Sequence, residues 1–157
     1  IKIASGDLTH HELLKEAGAA KVPVVLSTGM ANENEIERSL KVLETAGADR
    51  VVLLHCVSNY PATPEEMNLN AIPRLRKRFG VPVGLSDHTL TAESATLATA
   101  LGAVMIEKHF TTDCKLPGPD QSISMNPALF ERKGSPILLS FGSVELHSCV
   151  IPLDVMS

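Results

Sequence analysis

Val81-Pro82-Val83-Gly84-Leu85-Ser86-Asp87-His88 and Ala103-Val104-Met105-Ile106-Glu107-Lys108-His109 decide how this chain reads. Each opens on aliphatic and β-branched residues and turns abruptly polar at its C-terminal end. The same change recurs at Ile1–Ala4 before Ser5-Gly6-Asp7, at Val22–Leu26 before Ser27-Thr28-Gly29, and at Val51–His55, which closes on His55-Cys56. Nearly continuous apolar runs mark strands covered on both faces, as in a parallel sheet.

Between these runs lie segments with helical spacing. Leu13, Leu14 and Ala17 form one apolar stripe, Ile36, Leu40 and Leu43 a second, and Leu69, Ile72, Leu75 and Phe79 a third. The Ala-rich stretch Thr91–Leu101 is a fourth. Thr9-His10-His11-Glu12 and Thr63-Pro64-Glu65-Glu66 read as capping boxes, the second with Pro at the first helical position, and Asn32 with Glu35 as a weaker one. Gly18, Gly47, Gly80 and Gly102 are the expected stops. The alternation βαβαβαβαβ predicts an α/β fold with a parallel sheet. An eight-stranded barrel needs about 250 residues, so five strands form either an open sheet or part of a barrel.

Composition narrows the function. The chain has 157 residues, 44% hydrophobic and 20% charged, with net charge −4. There is no basic excess to neutralise a phosphate backbone, and with no Trp and one Tyr there is little to stack on bases, so nucleic acid is not the expected partner. No apolar run approaches the roughly 18 residues of a membrane span, and the N-terminus does not read as a signal peptide. Three scattered cysteines make no disulfide framework, and a cytoplasmic location is expected. After Asn126 the pattern changes. Residues 1–130 are read as the α/β unit and 131–157 as a divergent tail to which no chemistry is assigned.

Polar strand ends are where parallel α/β folds build their sites. Side chains alternate along a strand, so Ser86 and His88 share one face, as do Glu107 and His109, while Lys108 points the other way. There a lysine must find an acidic partner or reach water, and its role is expected to be stability. His88 and His109, on neighbouring strands, are placed to share one divalent ion with positions open to water or substrate, and two imidazoles favour Mn²⁺ or Zn²⁺. Buried, hydrogen-bonded histidines are the other reading of the pair. Lys2, Ser5, Ser27 and Thr28 offer a cation and hydroxyls suited to phosphate or carboxylate, and Gly29 would let backbone approach a ligand; ordinary strand-end hydroxyls beside a solvated lysine are the other reading. The run Arg74, Arg76, Lys77, Arg78 reads as the wet face of a helix. The stiff loop Lys115-Leu116-Pro117-Gly118-Pro119-Asp120 either holds Asp120 over the strand ends or is a structural turn, and the residues alone fit both.

Taken together, Lys2-Ile3-Ala4-Ser5-Gly6, Leu26-Ser27-Thr28-Gly29-Met30, Leu54-His55-Cys56-Val57-Ser58-Asn59-Tyr60-Pro61, Gly84-Leu85-Ser86-Asp87-His88-Thr89, Ile106-Glu107-Lys108-His109-Phe110-Thr111 and Pro117-Gly118-Pro119-Asp120 resemble, in order and spacing, the sialic acid (N-acetylneuraminate) synthase family. The resemblance runs from residue 1 to about Pro127. It implies a (β/α)₈ TIM barrel of which this chain supplies strands four to eight. By the same resemblance the chain lacks the three preceding strands and the C-terminal antifreeze-like domain that reaches the partner subunit's site in the family's homodimer.

The implied activity is condensation of phosphoenolpyruvate with an N-acetylated amino sugar such as N-acetylmannosamine, releasing phosphate. By resemblance His88 and His109 hold a divalent metal, usually manganese. Lys2, Ser5, Ser27 and Ser86, with the Ser58–Asn59 step, hold phosphoenolpyruvate, and Tyr60, Glu107 and Asp120 face the amino sugar. Lys2, His88 and Glu107 are the expected catalytic residues, and Asp7 stands where many members carry Glu. Lacking three strands of contacts, the chain alone is expected to turn over slowly or not at all. Two rival readings are another phosphoenolpyruvate-dependent synthase of a keto-deoxy sugar acid and a non-catalytic half-barrel that pairs through its exposed edges.

Overall fold

The computed structural model describes residues 1–128 and the backbone of residues 148–152. Five parallel strands run in chain order: β1 (Lys2–Ile3), β2 (Val24–Ser27), β3 (Val51–Cys56), β4 (Val83–Asp87) and β5 (Met105–His109). Helices α1 (His11–Ala19), α2 (Glu33–Ala46), α3 (Ala71–Phe79) and α4 (Glu93–Ala100) connect them in turn. Strand order that never reverses, with right-handed crossovers, puts every helix on the same side of the sheet. That is the barrel way of winding, and the open doubly wound alternative, which needs a reversal, is set aside.

The core fills the space between this outer sheet face and the helices. Ile3, Val24, Leu26, Leu53, Val83, Leu85 and Ile106 from the strands pack against Leu14, Ile36, Leu43, Ile72, Leu75, Ala95 and Ala98 from the helices. Except at β1, the strands end one to three residues beyond the apolar runs. Their polar ends, Ser27, Cys56, Ser86-Asp87 and Glu107-Lys108-His109, therefore lie inside the hydrogen-bonded ladder.

Helix ends differ from expectation in instructive ways. Asn32 and Glu35 form a complete reciprocal capping box at 3.0 and 2.9 Å. At α1 the cap is His10, whose Nδ1 accepts from the Leu13 amide, rather than Thr9. Thr63 and Glu66 do make a capping bond, but only a single turn follows. Met67 is fully buried and its carbonyl is bonded by His55 Nε2 at 2.6 Å, and Asn68 takes a left-handed φ of 43°, so the helix restarts at Ala71. Gly47 and Gly80 cap α2 and α3 with positive φ as expected. Gly18 instead lies within α1, where an added Cβ would sit 2.7 Å from Ala46 Cβ, so it is a close contact between helices rather than a stop.

A sixth strand, β6 (Ser148–Pro152), pairs antiparallel with β5 and covers one sheet edge. It falls in the tail, where the sequence shows an apolar run without period. The boundary at residue 130 lies outside the described residues. The basic run of α3 is structural: Arg74 and Arg78 pair with Glu33 and Glu37 of α2, and Arg76 donates to the Gly102 carbonyl. Among the described residues no helix is long and apolar enough to cross a membrane.

Candidate active site at the strand ends

The concave face of the sheet, opposite the helices, carries a cleft of about 220 Å³ lined by Lys2, Ala4, Ser5, Ser27, Cys56, Tyr60, Ser86, His88, Glu107 and His109. Two larger clefts lie on the helix side, and their linings are ordinary helix-surface residues. Strand register puts Cys56 beside Ser86 and Ser86 beside Glu107, so one row of inward side chains crosses three strands.

Glu107 is the hub of this row. Its Oε1 accepts from Ser86 Oγ at 2.7 Å, and its Oε2 lies 3.3 Å from Lys2 Nζ. Ser86 has one proton, which goes to Glu107, so its 3.3 Å contact to His88 Nε2 supplies that nitrogen with no donor. His88 Nδ1 donates to the Val57 carbonyl at 2.7 Å, which leaves Nε2 with an unshared pair facing the cleft. Burial pushes His88 below the ordinary histidine range, so the ring is held neutral.

The His109 ring lies 5.6 Å from that of His88, and its buried Nδ1 has no hydrogen-bond partner. The nearest carboxylate is Asp120 Oδ2 at 3.9 Å. Tyr60, half exposed, covers His88 with ring centroids 4.2 Å apart and meets His109 edge-on at 5.8 Å. A neutral imidazole with a free lone pair, its tautomer fixed by a carbonyl, beside a second ring with an orphaned nitrogen is a donor set that fits a divalent ion. Among the described residues no three His, Cys, Asp or Glu side chains group to enclose a metal. An ion held by the pair would take two ligands from this chain and the rest from water or substrate.

At the other end of the cleft Ser27 Oγ is buried without a partner. Ser5 and Ser58 meet at the rim with 3.5 Å between their hydroxyls. Thr28, grouped with them by sequence, turns away and donates to the Leu54 carbonyl. Gly29 serves the protein rather than a ligand, because a Cβ there would collide with Cys56 Sγ and sit 2.8 Å from Ser58 Oγ.

Four expected site residues, Ser58 at the rim among them, do not line the cleft. Asp7 is exposed on the short turn Ser5–Asp7, Asn59 directs its amide at the Glu66 carboxylate, and Asp120 stands beside His109 at the edge. Cys56 lines the cleft without having been singled out. Burial pushes its thiol up, and only its alternation with His55 on β3 could have placed it there. Beneath the site Lys108 turns outward, as alternation requires, and meets Asp87 at 2.8 Å with both side chains buried.

Parallel strands in unbroken order and a polar cleft at their C-terminal ends define a barrel-type α/β domain. Comparison with known proteins sharpens this. The chain belongs to the NeuB family, whose model matches residues 1–133. It is 48% identical over 138 residues to the uncharacterized protein MJ1065 of Methanocaldococcus jannaschii, covering 88% of this chain and 41% of that protein. It is 44% identical to the N,N'-diacetyllegionaminic acid synthase of Legionella pneumophila, over 81% of this chain and 37% of the relative. Among solved structures, the sialic acid synthetase of Leptospira borgpetersenii in complex with citrate superposes with a TM-score of 0.77 at 41% identity. That match covers 82% of this chain and 45% of the synthetase. The chain thus spans about two fifths of the length of the curated relatives it matches.

Proposed function

We propose that this chain carries part of the active site of a synthase that condenses phosphoenolpyruvate with an N-acetylated amino sugar of the N-acetylmannosamine type, forming a nonulosonic acid and releasing phosphate. The observation that supports it best is the cleft that joins a lysine, partnerless or rim-facing serine hydroxyls, a carboxylate and two imidazoles, one of them with a partnerless ring nitrogen. The names of the legionaminic acid, pseudaminic acid and N-acetylneuraminate-9-phosphate synthases among its relatives support the same chemistry.

In this reading Lys2 Nζ and Ser27 Oγ, with Ser5 and Ser58 at the rim, bind the phosphate and carboxylate of phosphoenolpyruvate. The enol carbon C3 attacks the sugar aldehyde, water adds at C2, and loss of phosphate leaves the keto acid. Glu107 is the acceptor for the sugar or for the proton of the attacking water, with Ser86 fixing its orientation. Tyr60 walls the sugar side. A divalent ion held by His88 and His109, Mn²⁺ by the family resemblance, would polarise the aldehyde. Much of the catalysis would be positioning and charge stabilisation.

The test is phosphoenolpyruvate binding followed by phosphorus NMR. The protein should shift the phosphate resonance, and Lys2→Met should abolish the shift while leaving the fold intact. An equal shift from Lys2→Met would contradict the assignment.

A further inference from the structure

Lys108 and Asp87 sit directly across the β4–β5 ladder, and Asp87–Lys108 is its last register pair. His109 still lies within β5, but His88 is the first residue beyond β4, where sheet pairing no longer fixes the backbone. The lysine takes over at that point. Its Nζ donates to Asp87 Oδ2 at 2.8 Å and to the Thr89 carbonyl at 2.5 Å, so one ammonium grips the residues on both sides of His88. Asp87 Oδ1 closes the loop by accepting from the Thr89 amide at 2.9 Å and hydroxyl at 2.8 Å. The two side chains are 4% and 0% exposed.

Stability alone does not account for such a pair, because well-packed apolar residues of similar volume generally serve as well or better. What apolar residues cannot do is bond the Thr89 carbonyl and the Asp87 carboxylate at once. We infer that Lys108 and Asp87 are positioning residues: a buried clamp that holds His88 at a fixed height opposite His109 and so presets the two imidazoles as one site. The inference rests on the proposed reading of His88 and His109, and it extends the role expected for Lys108 from the sequence, which was stability. Neither side chain reaches the cleft, and both act through the peptide units on either side of His88.

The decisive variant is Asp87→Asn with Lys108→Met. It removes both charges together, which avoids leaving one buried ion unpaired, and the side-chain amide oxygen it leaves at position 87 still accepts from Thr89. Two readouts are taken on the whole chain. The first is the nitrogen NMR spectrum of His88 at about pH 8, where imidazole is neutral. Wild type should show a single tautomer, protonated at Nδ1 by its bond to Val57, and the double variant a mixture of tautomers. The second is Mn²⁺ affinity by electron paramagnetic resonance, which should fall about tenfold or more, the usual effect of losing a residue that orients a ligand.

A folded double variant with the wild-type tautomer and unchanged Mn²⁺ affinity would overturn the clamp. If wild type binds no Mn²⁺, the metal reading fails, and the tautomer measurement still decides the clamp. Should the double variant fail to fold, Asp87→Glu keeps both charges and lengthens the bridge by one methylene. It should then disturb the His88 tautomer, and an undisturbed ring in that variant would refute the inference.

Discussion

Lys2 Nζ and Glu107 Oε2 lie 3.3 Å apart although their strands are first and fifth in the sheet. In a flat sheet four strand spacings of about 4.8 Å would separate the two backbones by about 19 Å, too far for this pair to meet. The contact therefore measures the curl of the half-barrel. It also places a cation and a carboxylate in the same cleft, so Glu107 competes with any anion for Lys2.

Glu107→Gln should accordingly tighten phosphoenolpyruvate binding, by a factor of about 1.5 to 5 if the partly exposed ion pair has the usual strength. Titration calorimetry checks it, and thermal stability should scarcely move. A tenfold loss of affinity would mean instead that Glu107 holds Lys2 in its binding position.

Gly29→Ala should be severely destabilising and should disturb the site. The new methyl runs into Cys56 Sγ and lies 2.9 Å from the Cys56 carbonyl, and backbone cannot yield as a flexible side chain would. The expected cost is about 1–3 kcal/mol or more, read from chemical denaturation. A neutral effect would show that the β2–α2 turn has room to retreat.

How much of this was legible in the sequence depends on which force decides each feature. Alternation along a strand is local, so the opposite facing of Glu107 and His109 against Lys108 followed from the residue order alone, and Asp87 is the acidic partner that reading demanded. The helix expected after Thr63-Pro64-Glu65-Glu66 failed because a tertiary contact, His55 to the Met67 carbonyl, outweighs a local capping signal. Gly18 misled for the same reason: a helix stop and a close helix contact both ask for glycine, and only Ala46 across the gap tells them apart. The orientation of Asn59 toward Glu66 was equally invisible, since loop side chains have no periodicity to read.

Stability should fall with pH in mild acid. Burial is the main cause that lowers His55 below the ordinary value of 6.5, with Arg74 adding to it and the Met67 bond opposing it. Burial likewise lowers His88. The unfolded chain then binds protons before the folded one does. The stabilisation is complete above about 6.5 and is lost as the pH falls from there through the folded values. Melting temperatures between about pH 7.5 and 5 should decline, and His55→Asn should flatten the decline. A melting temperature independent of pH over that range would contradict the neutral state assigned to these rings.

Mn²⁺ binding by the whole chain, followed by loss of the free-ion paramagnetic resonance signal, decides whether His88 and His109 form one metal site. The wild-type protein should bind the ion, and binding should disappear in His88→Ala with His109→Ala while the circular dichroism spectrum stays unchanged. Mn²⁺ bound equally well by the double variant, or not bound by the wild type at all, would contradict that assignment.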